Sequence, residues 1–249
     1  MGGRGSSVSG KSNAINWAHR RKNPTTILDK DPIGDENKKM FKDTMKNIVS
    51  IYPIEHANEI DIKTVKGALG QAGIGLDVKS LGNGQTQIQG YITLAFDDET
   101  FSSEYALEKK ITDNFENRWN SSGEINHIIA HELGHILDFQ LSIKKNGNIS
   151  LDEFLTAKVI PDADVNNEIN RMVNLYDVNF SRGIAQAVSR EMNVDGNKMV
   201  SMVSEYARES EMEFFAEAFA KSYLARGKEK EDVFVQAFNK VLKERINKL

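Results

Sequence analysis

The chain has 249 residues, 39% hydrophobic and 27% charged, which is enough for a sizeable core and ordinary for a soluble globular protein. Its net charge of −4 argues against a nucleic-acid partner. The absence of cysteine excludes disulfides and thiolate metal sites, so any zinc must be held by His, Asp or Glu.

No apolar run reaches the roughly 18–20 residues of a membrane span, and the N-terminus lacks the apolar centre of a signal peptide. No membrane association and no classical secretion are expected. That leaves the bacterial cytoplasm, a phage virion or delivery into a host as settings.

Residues 1–30 read as a flexible arm, rich in Gly and Ser and then basic. Residues 1–28 carry five basic side chains and no acid, which leaves −9 on the remainder. The folded domain is expected over 35–249. Phe41, Met45, Ile48, Val49 and Tyr52 recur at helical spacing until Pro53 stops the helix. A short helix is expected around Ile62–Leu69, then a Gly-rich connection through Gly84. Ile88, Ile92, Leu94 and Phe96 alternate with Gln87, Gln89, Tyr91 and Thr93, the pattern of a strand with one apolar face. This strand, 86–96, is the expected edge of a substrate cleft.

Beyond residue 100 the pattern is almost wholly helical. Ser121-Ser122-Gly123-Glu124 forms a capping box ahead of an apolar helix, and Asn146-Gly147 marks its turn. Ser150-Leu151-Asp152-Glu153 restarts a helix. Further helices fit 164–177, 181–193 and 197–206. Ser210-Glu211-Met212-Glu213 caps a helix running to Gly227, and a last one fills 229–247. The fold class is α+β: a small twisted sheet beside one chemistry-bearing helix, and a mostly helical C-terminal half.

That helix carries His131-Glu132-Leu133-Gly134-His135. Side chains at i and i+4 share a helix face, so two imidazoles at this spacing can converge on one Zn²⁺. Glu132, next to the first ligand, can take a proton from a zinc-bound water. A catalytic zinc keeps three protein ligands and one open position. One large peptidase class finds its third ligand six residues after the second His, but that position is Leu141. A carboxylate on another helix must serve, and Glu211, Glu213 and Glu217 are the supply. Glu211 lies about 160° from Glu213 around the helix, so the two cannot both face the metal. Glu213 and Glu217 share a face, and spacing does not separate them. Asp138 lies nearly a turn beyond His135 with a short side chain, ill placed to bind metal, and reads either as orienting an imidazole or as a polar residue near a helix end. His127 is displaced by about 6 Å along the axis, too far for the same ion, and reads as core or support. Phe214, Phe215 and Phe219 read as core.

Tyr206-Ala-Arg-Glu-Ser-Glu-Met-Glu213-Phe-Phe-Ala-Glu217-Ala-Phe resembles the second active-site segment of the anthrax lethal factor-like zinc metallopeptidases. More distantly it resembles the secreted Pro-Pro endopeptidases. His-Glu-x-Gly-His followed three residues on by Asp138 matches the first segment. The resemblance spans roughly 131–139 and 206–220, and the longer stretch between His135 and Glu213 departs from it, implying an inserted helical element. It implies a zincin-like fold, Zn²⁺ as cofactor, Glu213 as third ligand, and Tyr206 assisting at the substrate carbonyl. Glu217 is then left to support a ligand histidine. The expected activity is zinc-dependent hydrolysis of a protein or peptide, in a housekeeping, phage or toxin setting. The alternative is a non-catalytic phage or virion component that kept the metal site.

Gly5-Ser6-Ser7-Val8-Ser9-Gly10-Lys11-Ser12 fits the phosphate-loop pattern, but Met-Gly-Gly-Arg stands where that loop needs a buried strand to aim its amides, so nucleotide binding is not expected. Gly2 with Ser6 fits a myristoylation pattern, a weak anchor by itself. The basic arm could bind nucleic acid or an acidic partner, but reads first as a solvated tail. Its opening resembles the start of some tailed-phage head proteins.

Overall fold

In the computed structural model, residues 34–52, 54, 61–65, 68–177 and 179–249 are described. The N-terminal arm, with both of its motifs, lies outside them. Helix α1 (Asp35–Ile51) buries Phe41, Met45 and Ile48, the apolar stripe expected from their spacing. A short strand β1 (Asp61–Val65) follows, and then a hairpin of two long strands, β2 (Gly70–Gly82) and β3 (Gln85–Asp97). Asn83 and Gly84, with φ of 56° and 73°, make the hairpin turn; Asn-Gly is favoured there because both residues tolerate the left-handed region.

Two expectations fail in this stretch. The helix around Ile62–Leu69 is replaced, over its described part, by β1, which pairs parallel with the end of β3. The Gly-rich connection contains β2, a full strand antiparallel to β3. A third is corrected by topology: β3 is the centre of the sheet, not a cleft edge. β2 flanks one side; β1 and β4 (Lys158–Pro161) flank the two ends of the other. Alternate residues of β3, Thr86 to Phe96, are buried.

The helices follow in order: α2 (Asp98–Phe101), α3 (Glu104–Glu116), α4 (His127–Gly147), α5 (Leu151–Leu155), α6 (Val165–Asp177), α7 (Ile184–Met192), α8 (Gly196–Ser201), α9 (Glu211–Leu224) and α10 (Val233–Ile246). The architecture is α+β and mostly helical. Ser150 and Ser210 cap α5 and α9 as read, each accepting from the backbone N–H three residues on. The capping box at Ser121 does not form. Helix α4 begins instead at His127, with no side-chain cap on Asn126, because Ser121 is bonded elsewhere. Tyr206 is not in a helix continuing from 197 but in a single 3-10 turn, Tyr206–Arg208.

Helix α4 is the axis of the molecule: every residue from His127 to Ile143 is buried. Each fully buried Ile or Leu there contributes about 1.5–3 kcal/mol, and only polar groups with partners can be tolerated among them. Helix α9 packs across it at Gly134, where an added Cβ would lie 3.1 Å from the Ala216 Cα and 3.2 Å from the Phe219 ring. The obstacle is backbone, which cannot swing aside. Gly134→Ala is therefore expected to push α9 outward and cost about 1–3 kcal/mol; urea unfolding at unchanged midpoint would show the two helices to be less tightly packed.

Candidate metal centre

Because α9 approaches α4 so closely, the first turn of α9 reaches the histidine face. His131 Nε2 and His135 Nε2 lie 3.1 Å apart, and each is 3.2 Å from Glu213 Oε2. The three atoms form a nearly equilateral triangle. In a tetrahedral site with bonds of roughly 2.0–2.1 Å, ligand atoms stand about 3.3–3.4 Å apart, so a small cation fits these donors with little adjustment. All three side chains are buried, and these residues could hold a metal ion.

The electrostatics agree. Burial works against a charge on His131, yet the Glu213 and Glu217 carboxylates bonded to it raise its proton affinity well above the ordinary value. Burial likewise opposes ionisation of Glu213, but His131 and His135 hold its carboxyl far below the usual range. A cluster that attracts a proton this strongly against desolvation attracts any small cation for the same reason.

Glu217, one turn along α9, sits behind His131. Its Oε1 is 3.0 Å from His127 Nε2 and 2.9 Å from His131 Nδ1, although the latter contact is poorly aligned as a hydrogen bond. Its Oε2 accepts the Ser121 N–H at 2.7 Å, and the Ser121 hydroxyl donates to the Glu217 carbonyl at 2.8 Å. Burial opposes the charge on Glu217, while His127 and His131 keep its carboxyl well below the usual range. His127, His131 and Glu217 form a second group with metal-binding spacing. It needs the Nδ1 face of His131, however, whereas a proton held there toward Glu217 leaves the Nε2 lone pair for the first group. A carboxylate behind a ligating imidazole does this in metal sites generally. His127 reaches the first group only through Glu217.

Glu132 approaches β2. Its carboxylate accepts the backbone N–H of Ala72 on β2. A Cβ on Gly70 would lie 2.6 Å from Glu132 Oε1, so only glycine lets the strand pass at that distance. Burial raises the Glu132 carboxyl above its ordinary value, partly offset by His131 and His135. A buried carboxylate with raised proton affinity is suited to general-base work. Tyr206 stacks on the His131 ring, centroids 5.7 Å apart, and its hydroxyl bonds to Glu213. Burial and the charges of Glu213 and Glu132 push its pKa up, so it remains a phenol and a donor.

A cavity of about 580 Å³ opens on this cluster. His131, Glu132, Tyr206 and Glu217 line it together with Leu69, Gly70, Trp119 and Asn120. The Asn120 side chain is buried and its Nδ2 has no hydrogen-bond partner among the described residues. Neither residue, nor Ser121, was singled out by chemistry in the sequence, because turn residues carry no periodic signal. Glu211 is exposed on the far side, accepting from the Gly183 N–H, as its angle around the helix required.

Asp138 does not orient a histidine. Its two oxygens accept from the Ser181 backbone N–H at 2.7 Å and the Ser181 hydroxyl at 2.8 Å, tying α4 to the segment before α7. His135 Nδ1 has no hydrogen-bond partner among the described residues. Burial raises the Asp138 carboxyl to about 6, against the opposing pull of Ser181 and His135. An unfolded aspartate titrates near 3.9. Between about pH 4 and 6 the folded protein thus keeps a proton that the unfolded chain has lost. The stability from this group falls as pH rises through that window, by about 3 kcal/mol in all, and is flat above it. Asp138→Asn cannot titrate, so its stability relative to the parent is expected to rise from pH 4 to 6. Denaturant melts showing a constant difference would make Asp138 an ordinary carboxylate.

Compared with protein-family models, curated proteins and solved structures, the chain matches none.

Proposed function

We propose that the chain is a zinc-dependent endopeptidase of zincin-like build, in which His131, His135 and Glu213 hold the ion and Glu132 is the general base. The observation that carries this reading is the triangle of donor atoms with edges of 3.1–3.2 Å beside a buried carboxylate that is not one of them. When bound, zinc supplies a Lewis acid for the substrate carbonyl and lowers the pKa of water to about 7. Glu132, steadied by the Ala72 N–H, accepts the proton of the attacking water on a carboxylate oxygen and returns it to the leaving amine. Tyr206 donates its hydroxyl to the developing oxyanion, for which it must leave Glu213. Glu217 and His127 hold His131 in place.

The substrate is a protein or peptide. Its extended backbone runs along the outer edge of β2, which pairs with no other strand among the described residues. A non-catalytic virion component with a structural metal would need the histidines and Glu213, but neither a buried carboxylate at position 132 nor the glycine at position 70 that admits it.

Peptide-library profiling tests the reading: cleavage that a chelator abolishes is expected, and cleavage that survives chelation would reject it. Tyr206→Phe is expected to lower kcat by about 10²–10³ with KM little changed. An undiminished kcat would make Tyr206 a packing residue.

A further inference from the structure

The turn between α3 and α4 does more than connect them. Arg118 adopts φ of 58°, a left-handed conformation that costs a non-glycine residue energy and that persists where surrounding contacts enforce it. Those contacts reach the Tyr206 segment: the Arg118 carbonyl accepts the Glu205 N–H at 2.7 Å, and its guanidinium donates to the Ser201 carbonyl at 2.7 Å. The next residue, Trp119, stacks on Tyr206 with centroids 5.2 Å apart and planes 29° apart. Tyr206 in turn stacks on His131 at 5.7 Å and 27°. Tyr206 sits in a single 3-10 turn, which offers no helical neighbours to fix its ring. Its hydroxyl is held by Glu213, and the plane of its ring is set between the two rings that sandwich it, Trp119 and His131.

The geometry points to Trp119 as a positioning residue that holds the Tyr206 hydroxyl at the reacting carbonyl, with the strained Arg118 turn fixing the indole in place. This rests on the peptidase reading above and goes beyond it, because the turn lies outside both active-site segments. A misplacement of about 1 Å at a catalytic group can cost on the order of 10²-fold in rate, and a phenol free to rotate off His131 would be misplaced by that much or more. Trp119 also lines the cavity, so the competing role is a wall that touches substrate. The two roles differ in what happens when Tyr206 has no hydroxyl to position.

The test is a double-mutant cycle on the zinc-loaded full chain, read as kcat and KM on a peptide taken from the library screen. Zinc content and melting temperature are controlled in each variant. Trp119→Ala is expected to lower kcat by about 10- to 100-fold with KM within about twofold. In the Tyr206→Phe background the same change is expected to alter kcat by less than about twofold. Trp119→Phe, which keeps an aromatic face on Tyr206, is expected to recover most of the loss.

Losses that multiply in the double variant, or a loss carried by KM, would assign Trp119 to substrate contact and overturn the inference while leaving the peptidase reading intact. No chelator-sensitive turnover by the parent protein would overturn both. A turnover-independent arm uses the protein with Trp17→Phe, so that Trp119 is the one tryptophan left of the two. Zinc added to the stripped protein is expected to shift Trp119 emission, and Tyr206→Ala to remove that shift while zinc still binds. An unchanged shift in Tyr206→Ala would show that the indole does not report on His131 through the tyrosine ring.

Discussion

Glu213→Gln is expected to lose zinc binding severely and peptide hydrolysis with it, while Glu213's other role survives. That other role is in the first turn of α9, where the Glu213 N–H is the donor that Ser210 caps at 3.1 Å. The cap bonds the backbone and glutamine keeps it, so a residue important only for helix initiation, worth about 1 kcal/mol, would tolerate the change. The ligand role does not tolerate it. Glu213 Oε2 is the vertex shared by two imidazoles at 3.2 Å, and a neutral amide provides neither the charge nor the equivalent oxygen lone pairs. Glu217→Gln is the control. Its carboxylate faces His127, Ser121 and the Nδ1 side of His131. Losing a carboxylate behind a ligand typically costs about 10–100-fold in metal affinity or activity without abolishing the site. Isothermal titration of both stripped variants with zinc separates them. Full affinity in Glu213→Gln and none in Glu217→Gln would move the ligand one helical turn along α9.

Glu132→Gln produces the opposite split. It touches none of the three converging donor atoms, so about one zinc per chain is expected to remain. Turnover is expected to fall to near background, because the amide cannot take the proton of the attacking water. The fold should hold as well: glutamine is nearly isosteric beside Gly70, and its amide oxygen can still accept the Ala72 N–H. Retained hydrolysis at full zinc occupancy would place the base on another residue.

The parts of this site written at fixed helical spacing were legible before the fold was known. The i, i+4 histidines, Glu132 between them, and Glu211 facing away follow from 100° per residue alone. Spacing left Glu213 and Glu217 equivalent, and what separates them is tertiary: the crossing at Gly134 brings the first turn of α9 to the Nε2 side of His131 and the second to its Nδ1 side. Asp138 misled because its position near the histidine face says nothing of Ser181, a partner 43 residues away. Ser121 misled for the same reason: its local capping pattern loses to Glu217, 96 residues away.

The sheet shows a different kind of miss. β2 carries Gly70, Gly73, Gly75 and Gly82, and that content reads as a connection. The glycines are there for close approaches, at Gly70 to Glu132 and at Gly75 to the Tyr91 ring. Ala72, Ile74, Leu76 and Val78 alternate between them, and Asn83-Gly84 marks the hairpin; that combination was the available signal. Missing β2 made β3 look like an edge, when it is the strand that all the others pair with.

The most direct test of the account is activity against zinc stoichiometry. Protein stripped by chelator and dialysed free of it should cleave nothing from the peptide library. Adding zinc should restore cleavage linearly up to a break at about one equivalent, and no restoration should occur in His131→Ala or His135→Ala. Cleavage by the stripped protein, or equal restoration in either histidine variant, would contradict a peptidase centred on His131, His135 and Glu213.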